Sequence, residues 1–323
     1  MQRTRWQTAM LGAAALMGTA SMAEDAREPS RLDTVVVTAT RTDTPLGQLG
    51  QSVTVIDREQ IDNGQFTTVT DLLRQTVGVD FRANGPHSSS TSLNLRGLQG
   101  YHTKLLINGI PLQDNAGVQQ MPILNDINLD DVERIEIVRG PGSTIHGSNA
   151  IGGVVNIITR RGAMATPQVS GNVEYGSHGR IRTAAGVRGA SGPVDYAFSA
   201  LRESERGISA RTTPLNGDDD GWRLQQLQGS IGLALAENTR VELFGRYSES
   251  DEEYDMADAV WGPFTDSGDT HNQRWMGGVR FDATDLFDGL LDTTLSLSVA
   301  DHRRGYRDRS EERRVGKECR SRW

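Results

Sequence analysis

The sequence has one cysteine, few aromatic residues and no long apolar run after its N-terminus, and each shortage narrows the possible classes of protein. Cys319 is the only cysteine, which excludes an internal disulfide and a cluster of thiolate metal ligands. Beyond the N-terminal region, no apolar run is long enough to cross a bilayer as a helix. The formal net charge of −8 argues against a nucleic-acid-binding protein, which usually presents a basic face.

Catalytic arrangements are missing as well. The sequence has no Ser/His/Asp arrangement, phosphate-cradling glycine loop or zinc-binding His/Glu spacing in a believable context. Four histidines lie in predicted loops without carboxylates at metal-ligand spacing, namely His87, His102, His146 and His178. The sequence therefore predicts that this protein is not an enzyme.

The N-terminus has the three features of an export signal in the correct order. Arg3 and Arg5 supply positive charge, residues 9–20 are a short apolar stretch, and Ser21-Met22-Ala23 provides small residues before a cleavage site. This order favours a signal peptide at 1–23 over the N-terminal helix of a cytosolic protein. We expect the mature chain to begin near Glu24 and to leave the cytoplasm.

Residues 51–162 have a mixed α and β pattern, which predicts a small globular domain. Leu72, Leu73 and Val77 have helical spacing, and Gly78 can end that helix. Short apolar runs separated by glycine-rich turns predict strands at 52–57, 93–96, 105–107 and 135–139.

Residues 163–308 alternate between apolar and polar side chains. The alternation recurs in seven runs, at 169–175, 181–187, 194–200, 227–235, 241–247, 275–281 and 291–299, with longer acidic connections at about 204–221 and 249–272. Such runs are typical of a transmembrane β-barrel, because backbone groups in lipid must pair within a closed sheet. A soluble β-sandwich also alternates, but seven runs behind an export signal favour the barrel. The predicted fold is an α+β domain followed by the first strands of a transmembrane antiparallel β-barrel.

The resemblance given below implies a barrel that encloses a plug and closes with about 22 strands, so seven runs fall short of closure. We therefore expect this chain to be the truncated, N-terminal part of such a protein. Residues 309–323 abandon the alternation and become basic. We interpret them as a non-native tail, with a genuine basic tail as the alternative.

A valine-rich segment follows the predicted cleavage site, within residues 24–50. It consists of Asp33, Thr34, Val35, Val36, Val37, Thr38 and Ala39. These β-branched residues favour an extended conformation. An exposed extended segment can be captured as an added strand by the sheet edge of another protein. The alternative is the first strand of the globular domain.

This segment resembles the TonB box of TonB-dependent outer-membrane receptors, and motifs similar to those of the family's plug domain follow it in order. They are Leu95-Arg96-Gly97, Leu106-Ile107-Asn108-Gly109, Val132-Glu133-Arg134-Ile135-Glu136, Val138-Arg139-Gly140-Pro141, 147–153 and 154–159. The resemblance implies a plug domain at 51–162 and a partial barrel in the lipid of the bacterial cell outer membrane. It also implies active import, with the TonB periplasmic domain as partner. Arg96 and Arg139 would pair with carboxylates on the barrel wall, in strands that this chain lacks.

Within the family, several loops resemble those of the cobalamin receptors. The resemblance implies that plug loops contact a corrinoid through Ser88, Ser89, Ser90, Asn115, Gly117 and Val118. Solvated Ser/Asn/Gly loops are the alternative at these positions. A ferric-siderophore or haem receptor, which would bind a ferric chelate, is the alternative within the family. A passive porin or adhesin barrel would need neither the TonB box nor the plug.

Acidic residues in two predicted extracellular connections could hold a structural calcium ion, which takes six to eight oxygen ligands in irregular geometry. Resemblance to the cobalamin receptors supports this site at Asp218, Asp220, Tyr254, Asp255 and Asp266. The sequence departs from that pattern at 207–210, where a further carboxylate is expected and Ser209 stands instead. Solvated acidic loops are the alternative.

Overall fold

The computed structural model of the protein describes residues 35–42, 44–66, 68–83, 91–114, 120–124, 126–162, 165–208, 219–256, 266–287 and 289–308. Its α-helices are α1 Arg58–Gly64, α2 Val69–Arg74 and α3 Ser143–His146. None of the helices among these residues is long and apolar enough to cross a bilayer.

The described residues of the N-terminal part form nine short strands, five of which belong to one sheet. The strands are β1 Val35–Val36, β2 Thr44–Pro45, β3 Ser52–Ile56, β4 Val79–Ala83, β5 Thr91–Leu95, β6 Thr103–Ile107, β7 Ile110–Pro111, β8 Val132–Arg139 and β9 Gly153–Thr159. The five-stranded sheet has the order β3-β8-β9-β6-β7, in which β6 and β9 are parallel and the other pairs are antiparallel. Two separate strand pairs, β1-β2 and β4-β5, complete this part.

Helices α1 and α2 contribute their apolar faces to the core beside this sheet, and side-chain caps fix where each of them begins. Asp57 caps α1 in a reciprocal capping box with Gln60, which satisfies the free N–H groups of the first turn. Thr68 caps α2 through Asp71, and α2 buries Leu72 and Leu73. Apolar side chains from the helices and from β5, β6, β8 and β9 form one core.

The C-terminal part is a seven-stranded antiparallel meander. Its strands are β10 Gln168–Tyr175, β11 Ile181–Ser191, β12 Val194–Glu205, β13 Trp222–Ala236, β14 Thr239–Met256, β15 Asp266–Leu286 and β16 Leu291–Asp308. Each strand pairs with the next one in the chain, so the order is β10 through β16. Phe244 and Met276 of this sheet are buried in the same core as the aliphatic residues of the N-terminal part. The meander therefore curves around one side of that domain.

The two faces of the meander differ in the way that a lipid-embedded wall requires. The outer face exposes large apolar side chains such as Leu227, Leu295 and Leu297, which are 59%, 68% and 77% exposed. The inner face buries charged side chains such as Arg246 and Arg274 against the N-terminal domain. This apolar-out and polar-in arrangement is typical of an outer-membrane barrel wall. The predicted fold class is confirmed, although the sheet of the described residues is not closed.

Several strands are longer than the sequence pattern predicts. The acidic stretch at 249–272 was expected as a connection, but 249–256 continue β14 and 266–272 begin β15. The reason is that an apolar outer face is needed only within the lipid, whereas backbone pairing continues beyond it. The described register joins Asp255 to Ser267 and Met256 to Asp266 at the end of this hairpin.

Candidate functional site

The valine-rich segment is docked on the N-terminal domain rather than exposed. Its described part begins at Val35, while Asp33 and Thr34 lie outside the described residues. Val35 and Val36 form β1 and pair with Thr44 and Pro45. After β1 the chain turns, and the Arg41 N–H donates to the Val37 carbonyl at 2.8 Å.

Apolar contacts hold the start of the segment. Val36 is fully buried and forms a small cluster with Ala39 and Val138, separate from the main core. Partly buried side chains of Leu46 and Val53 pack against this cluster. The sequence predicted an exposed extended segment, but the structure buries part of it. Within its described residues, 35–39, the extended backbone is limited to β1. Its assignment as a TonB box remains a prediction.

A buried carboxylate on β8 binds the next two residues of the segment. Glu136 has no exposed surface, and its Oε2 accepts hydrogen bonds from Val37 N at 3.1 Å and Thr38 N at 2.8 Å. The same oxygen accepts a third hydrogen bond, at 2.6 Å, from Thr38 Oγ1. The other oxygen, Oε1, accepts from Arg134 Nε at 2.8 Å. Four donors thus satisfy a carboxylate that would be costly to bury alone.

Two neighbouring side chains complete the contacts of Thr38. Asn156 Nδ2 donates to Thr38 Oγ1 at 3.0 Å, and His146 Nε2 lies 2.7 Å from the Thr38 carbonyl oxygen. The carbonyl can only accept, so His146 donates from Nε2. Burial lowers the pKa of His146, although the hydrogen bond to Thr38 acts in the opposite direction. The imidazole is therefore neutral at pH 7 and carries its proton on the nitrogen that contacts the segment.

The two arginines predicted to pair with the barrel wall lie close together at the edge of the plug core. Arg139 ends β8, is 8% exposed and donates from Nη1 to Thr54 Oγ1 at 2.8 Å. Burial and the positive charge of Arg96 lower the pKa of Arg139. Among the described residues, Arg139 Nε has no hydrogen-bond acceptor. Pairing of Arg96 and Arg139 with carboxylates of the wall stays a prediction.

Three described ion pairs between plug and wall have the opposite polarity, with the carboxylate on the plug and the arginine on the wall. A fourth has an arginine on the plug side, since Arg161 lies 2.6 Å from Glu242 of β14. Asp126 is buried between Arg246 of β14 and Arg274 of β15, and it accepts a hydrogen bond from Ser248 at 2.6 Å. Although burial raises the pKa of Asp126, the two guanidiniums and the Ser248 hydroxyl outweigh this effect. They hold the pKa well below its usual range.

Two further pairs follow the same polarity. Asp114 lies 2.6 Å from Arg304 and 3.2 Å from His302, both on β16. Asp130 lies 2.7 Å from Arg182 on β11. These residues were not predicted from the sequence, although the alternation on β14 places Arg246 on the polar inner face. That position was a detectable signal, because a charged residue on the inner face needs a partner inside the wall.

The predicted substrate-contacting residues lie outside the described residues. They are Ser88, Ser89, Ser90, Asn115, Gly117 and Val118. Asp114 immediately precedes one of these loops, and Asp126 follows it. The ion pairs of Asp114 and Asp126 therefore attach to the wall one described residue on each side of positions 115–118.

The predicted calcium ligands are brought to one end of the meander, as far as they are described. Asp220 is buried and precedes β13, whereas Tyr254 and Asp255 end β14 and Asp266 begins β15. Asp218 and the side chains of Tyr254, Asp255 and Asp266 lie outside the described part. Within the described part, no group of three or more His, Cys, Asp or Glu side chains could hold a metal. The calcium site stays a prediction.

A domain of mixed α and β structure packs against the inner face of an antiparallel sheet whose outer face is apolar. This combination defines the class of plugged outer-membrane barrels. Residues 45–154 match the TonB-dependent receptor plug domain. The chain is 31% identical over 237 residues to the vitamin B12 transporter BtuB of Photobacterium profundum. The matched region covers 71% of this chain and 38% of that relative. Residues 45–154 are thus the plug domain of a TonB-dependent receptor, a family of bacterial outer-membrane receptors and not of enzymes.

Solved structures agree with this fold. The siderophore receptor PiuA of Acinetobacter baumannii matches with a TM-score of 0.62 and 18% identity, covering 85% of this chain and 40% of that one. The alcaligin receptor FauA of Bordetella pertussis matches with a TM-score of 0.62 and 18% identity, covering 87% of this chain and 44% of that one. The chain therefore spans well under half the length of the relatives it matches.

Proposed function

We propose that this chain is part of a receptor that imports a scarce, large nutrient across the outer membrane, with energy supplied through TonB. The observation that best supports the proposal is the plug domain with a valine-rich segment docked at its N-terminal side. Main-chain groups of such a segment can pair with the edge of a sheet in the TonB periplasmic domain. Force applied there would act on the plug inside its wall.

Cobalamin is the substrate that we propose for this receptor. Support comes from the similarity to a vitamin B12 transporter over most of this chain, together with the polar loops at 84–90 and 115–118. A ferric siderophore is the second candidate, because PiuA and FauA, two of the similar solved structures, are siderophore receptors by name. A passive porin or adhesin barrel is disfavoured, since it has no need of a plug domain.

Substrate binding must favour release of the TonB box for import to be ligand-gated. A ligand can shift such an equilibrium only by its difference in affinity for the two states. Positions 115–118 are suited to such coupling, since Asp114 and Asp126 on either side of them are bound to the wall. We propose that the substrate acts on the plug through this loop.

The test uses a full-length receptor that carries these residues, produced in cells lacking their own cobalamin and siderophore receptors. Binding and uptake of labelled cobalamin are compared with those of a labelled ferric siderophore. We expect tight binding and uptake of cobalamin only. Deletion of residues 33–39 should abolish uptake and leave surface binding unchanged, because the deletion removes the coupling segment and spares the apical loops.

Uptake that persisted after this deletion would count against energy coupling through the segment. Binding of the ferric siderophore in place of cobalamin would identify the protein as a siderophore receptor, the second candidate. Passage of both solutes without saturable binding would indicate a passive barrel.

A further inference from the structure

We propose that Glu136 is a positioning residue that holds the TonB box on the plug until import begins. The inference rests on the proposed function and specifies how its coupling segment is regulated. Glu136 Oε2 receives three hydrogen bonds from Val37 and Thr38, whereas Oε1 receives one from Arg134. Three of the four donors to this buried carboxylate therefore leave when the segment leaves.

The sheet itself builds the binding site for Thr38. Glu136 on β8 and Asn156 on β9 are directly opposite each other in antiparallel register. Opposite residues of neighbouring strands point to the same face of a sheet. Glu136 and Asn156 therefore reach Thr38 together, and His146 at the end of α3 reaches its carbonyl oxygen from another element.

Docking and strand addition exclude each other at Thr38. Its N–H donates to Glu136, its hydroxyl bonds to Glu136 and Asn156, and its carbonyl accepts from His146. Pairing with a sheet edge of the TonB domain would require the same backbone N–H and C=O groups. The TonB domain can therefore bind this position only after the plug has released it.

Release is also opposed by burial of the carboxylate. Without the segment, Glu136 keeps only the bond from Arg134, and an unsatisfied buried charge is strongly unfavourable. Water must enter the site to replace the lost donors. The apolar cluster around Val36 covers the same region, so the polar and apolar contacts are expected to open together.

The experiment measures box release directly in a substrate-free, full-length receptor that carries these residues. Any other cysteine of the receptor is replaced by serine, and Thr40→Cys at an exposed position carries a nitroxide whose mobility reports the undocked fraction. Glu136→Gln keeps the shape of the side chain and removes the charge, which should raise that fraction about tenfold. The matched control is Glu133→Gln on the same strand, where the carboxylate is 46% exposed and lies 3.7 Å from Arg160.

A second variant covers the case in which Glu136→Gln fails to fold. Thr38→Val has nearly the same shape and removes only the hydroxyl that Glu136 and Asn156 bind, so the undocked fraction should again rise. If the label is as immobile in the Glu136 and Thr38 variants as in Glu133→Gln, the proposal is overturned. Equal release in Glu133→Gln and Glu136→Gln would overturn it as well, since the effect would then be one of net charge.

Binding of the purified TonB periplasmic domain separates this proposal from the proposed function. We expect Glu136→Gln to bind that domain about tenfold more tightly than the unsubstituted receptor without substrate. If Glu136→Gln releases the label but no form of the receptor binds the TonB domain, the proposed function fails and the role of Glu136 stands. If Glu136→Gln and the unsubstituted receptor bind the domain equally and the label stays immobile in both, the role of Glu136 fails and the proposed function stands.

Discussion

Replacement of Asp126 by asparagine should loosen the plug from the barrel wall more than any change at an exposed ion pair. The Asp126 side chain is 5% exposed, and those of Arg246 and Arg274 are 2% and 8% exposed. Asp126→Asn keeps the size of the side chain but leaves two buried guanidiniums next to each other without their shared counter-charge. Removing one partner of a buried ion pair costs about 3–5 kcal/mol, which is our estimate for this substitution.

The assay is urea denaturation of the plug in a full-length receptor, followed by a fluorophore on Gln48→Cys, an exposed position, with any other cysteine replaced by serine. With an m-value of about 2 kcal/mol per molar urea, a loss of about 4 kcal/mol lowers the midpoint by roughly 2 M. Asp130→Asn is the matched control, because Asp130 is 44% exposed and its partner Arg182 also contacts Glu174. Because Asp130 is half exposed and Arg182 keeps Glu174 as a counter-charge, we expect Asp130→Asn to cost less than about 1 kcal/mol.

The same pair predicts how plug stability depends on pH. The folded pKa of Asp126 lies below its unfolded value of about 3.9, so the ionised form favours the folded state. Its contribution is complete above that unfolded pKa and is lost as the pH falls toward the folded pKa. Asp126→Asn should therefore lose the part of the acid destabilisation that belongs to this carboxylate. If Asp126→Asn lowers the urea midpoint no more than Asp130→Asn does, the reasoning is refuted.

Two further predictions concern the plug backbone and the acidic loops. Gly153→Ala should destabilise the plug by about 1–3 kcal/mol more than Gly109→Ala in the same urea assay, because its Cβ would lie 2.3 Å from the Val138 carbonyl oxygen. Both glycines have positive φ, but Gly109 has open space around it, so equal losses would contradict a packing cause. Calcium at 100 times its dissociation constant should stabilise the full-length receptor by about 2.7 kcal/mol in thermal unfolding. Asp218→Asn should reduce that gain, and no response to calcium would contradict the site.

The strands of the wall could be predicted from the sequence because lipid and plug impose opposite demands on alternate side chains. All seven predicted runs lie within the seven observed strands. Their ends could not be predicted, since β14 and β15 continue through acidic residues where lipid no longer selects apolar side chains. Hydrogen bonding along the hairpin extends the strands there, and that pairing leaves no periodic mark on the sequence.

Plug elements were harder to predict because they are short and packed from several sides. Helix α1 was missed, although Asp57 and Gln60 have the spacing of a capping box that predicts a helix start. Strand β4 was missed because Val79–Ala83 pairs only with β5 and alternates weakly. The strands at β3, β6 and β8 were predicted, with ends that differ by no more than a few residues.

The contacts of the candidate site depend on residues far apart in the chain, which explains why the sequence alone could not predict them. Thr38 and Glu136 are 98 positions apart, and Asp126 and Arg274 are 148 positions apart. In the sequence, Glu136 stands out only as part of a plug motif. Its role in holding the segment depends on the register that places β8 beside β9 and on the turn after β1.

The order of these attachments along the chain determines which contacts a pull from the N-terminus would load first. The β1-β2 pairing, which joins only two residue pairs, comes first, followed by the Glu136 contacts with Val37 and Thr38. Next is β3, an edge strand whose ladder pairs five residues with β8 alone. The ion pairs of Asp114 and Asp126 lie beyond these contacts and hold the plug to the wall. A pull from the N-terminus would therefore release the segment and peel β3 before those ion pairs break. The plug can change shape while Asp114 and Asp126 stay attached to the wall.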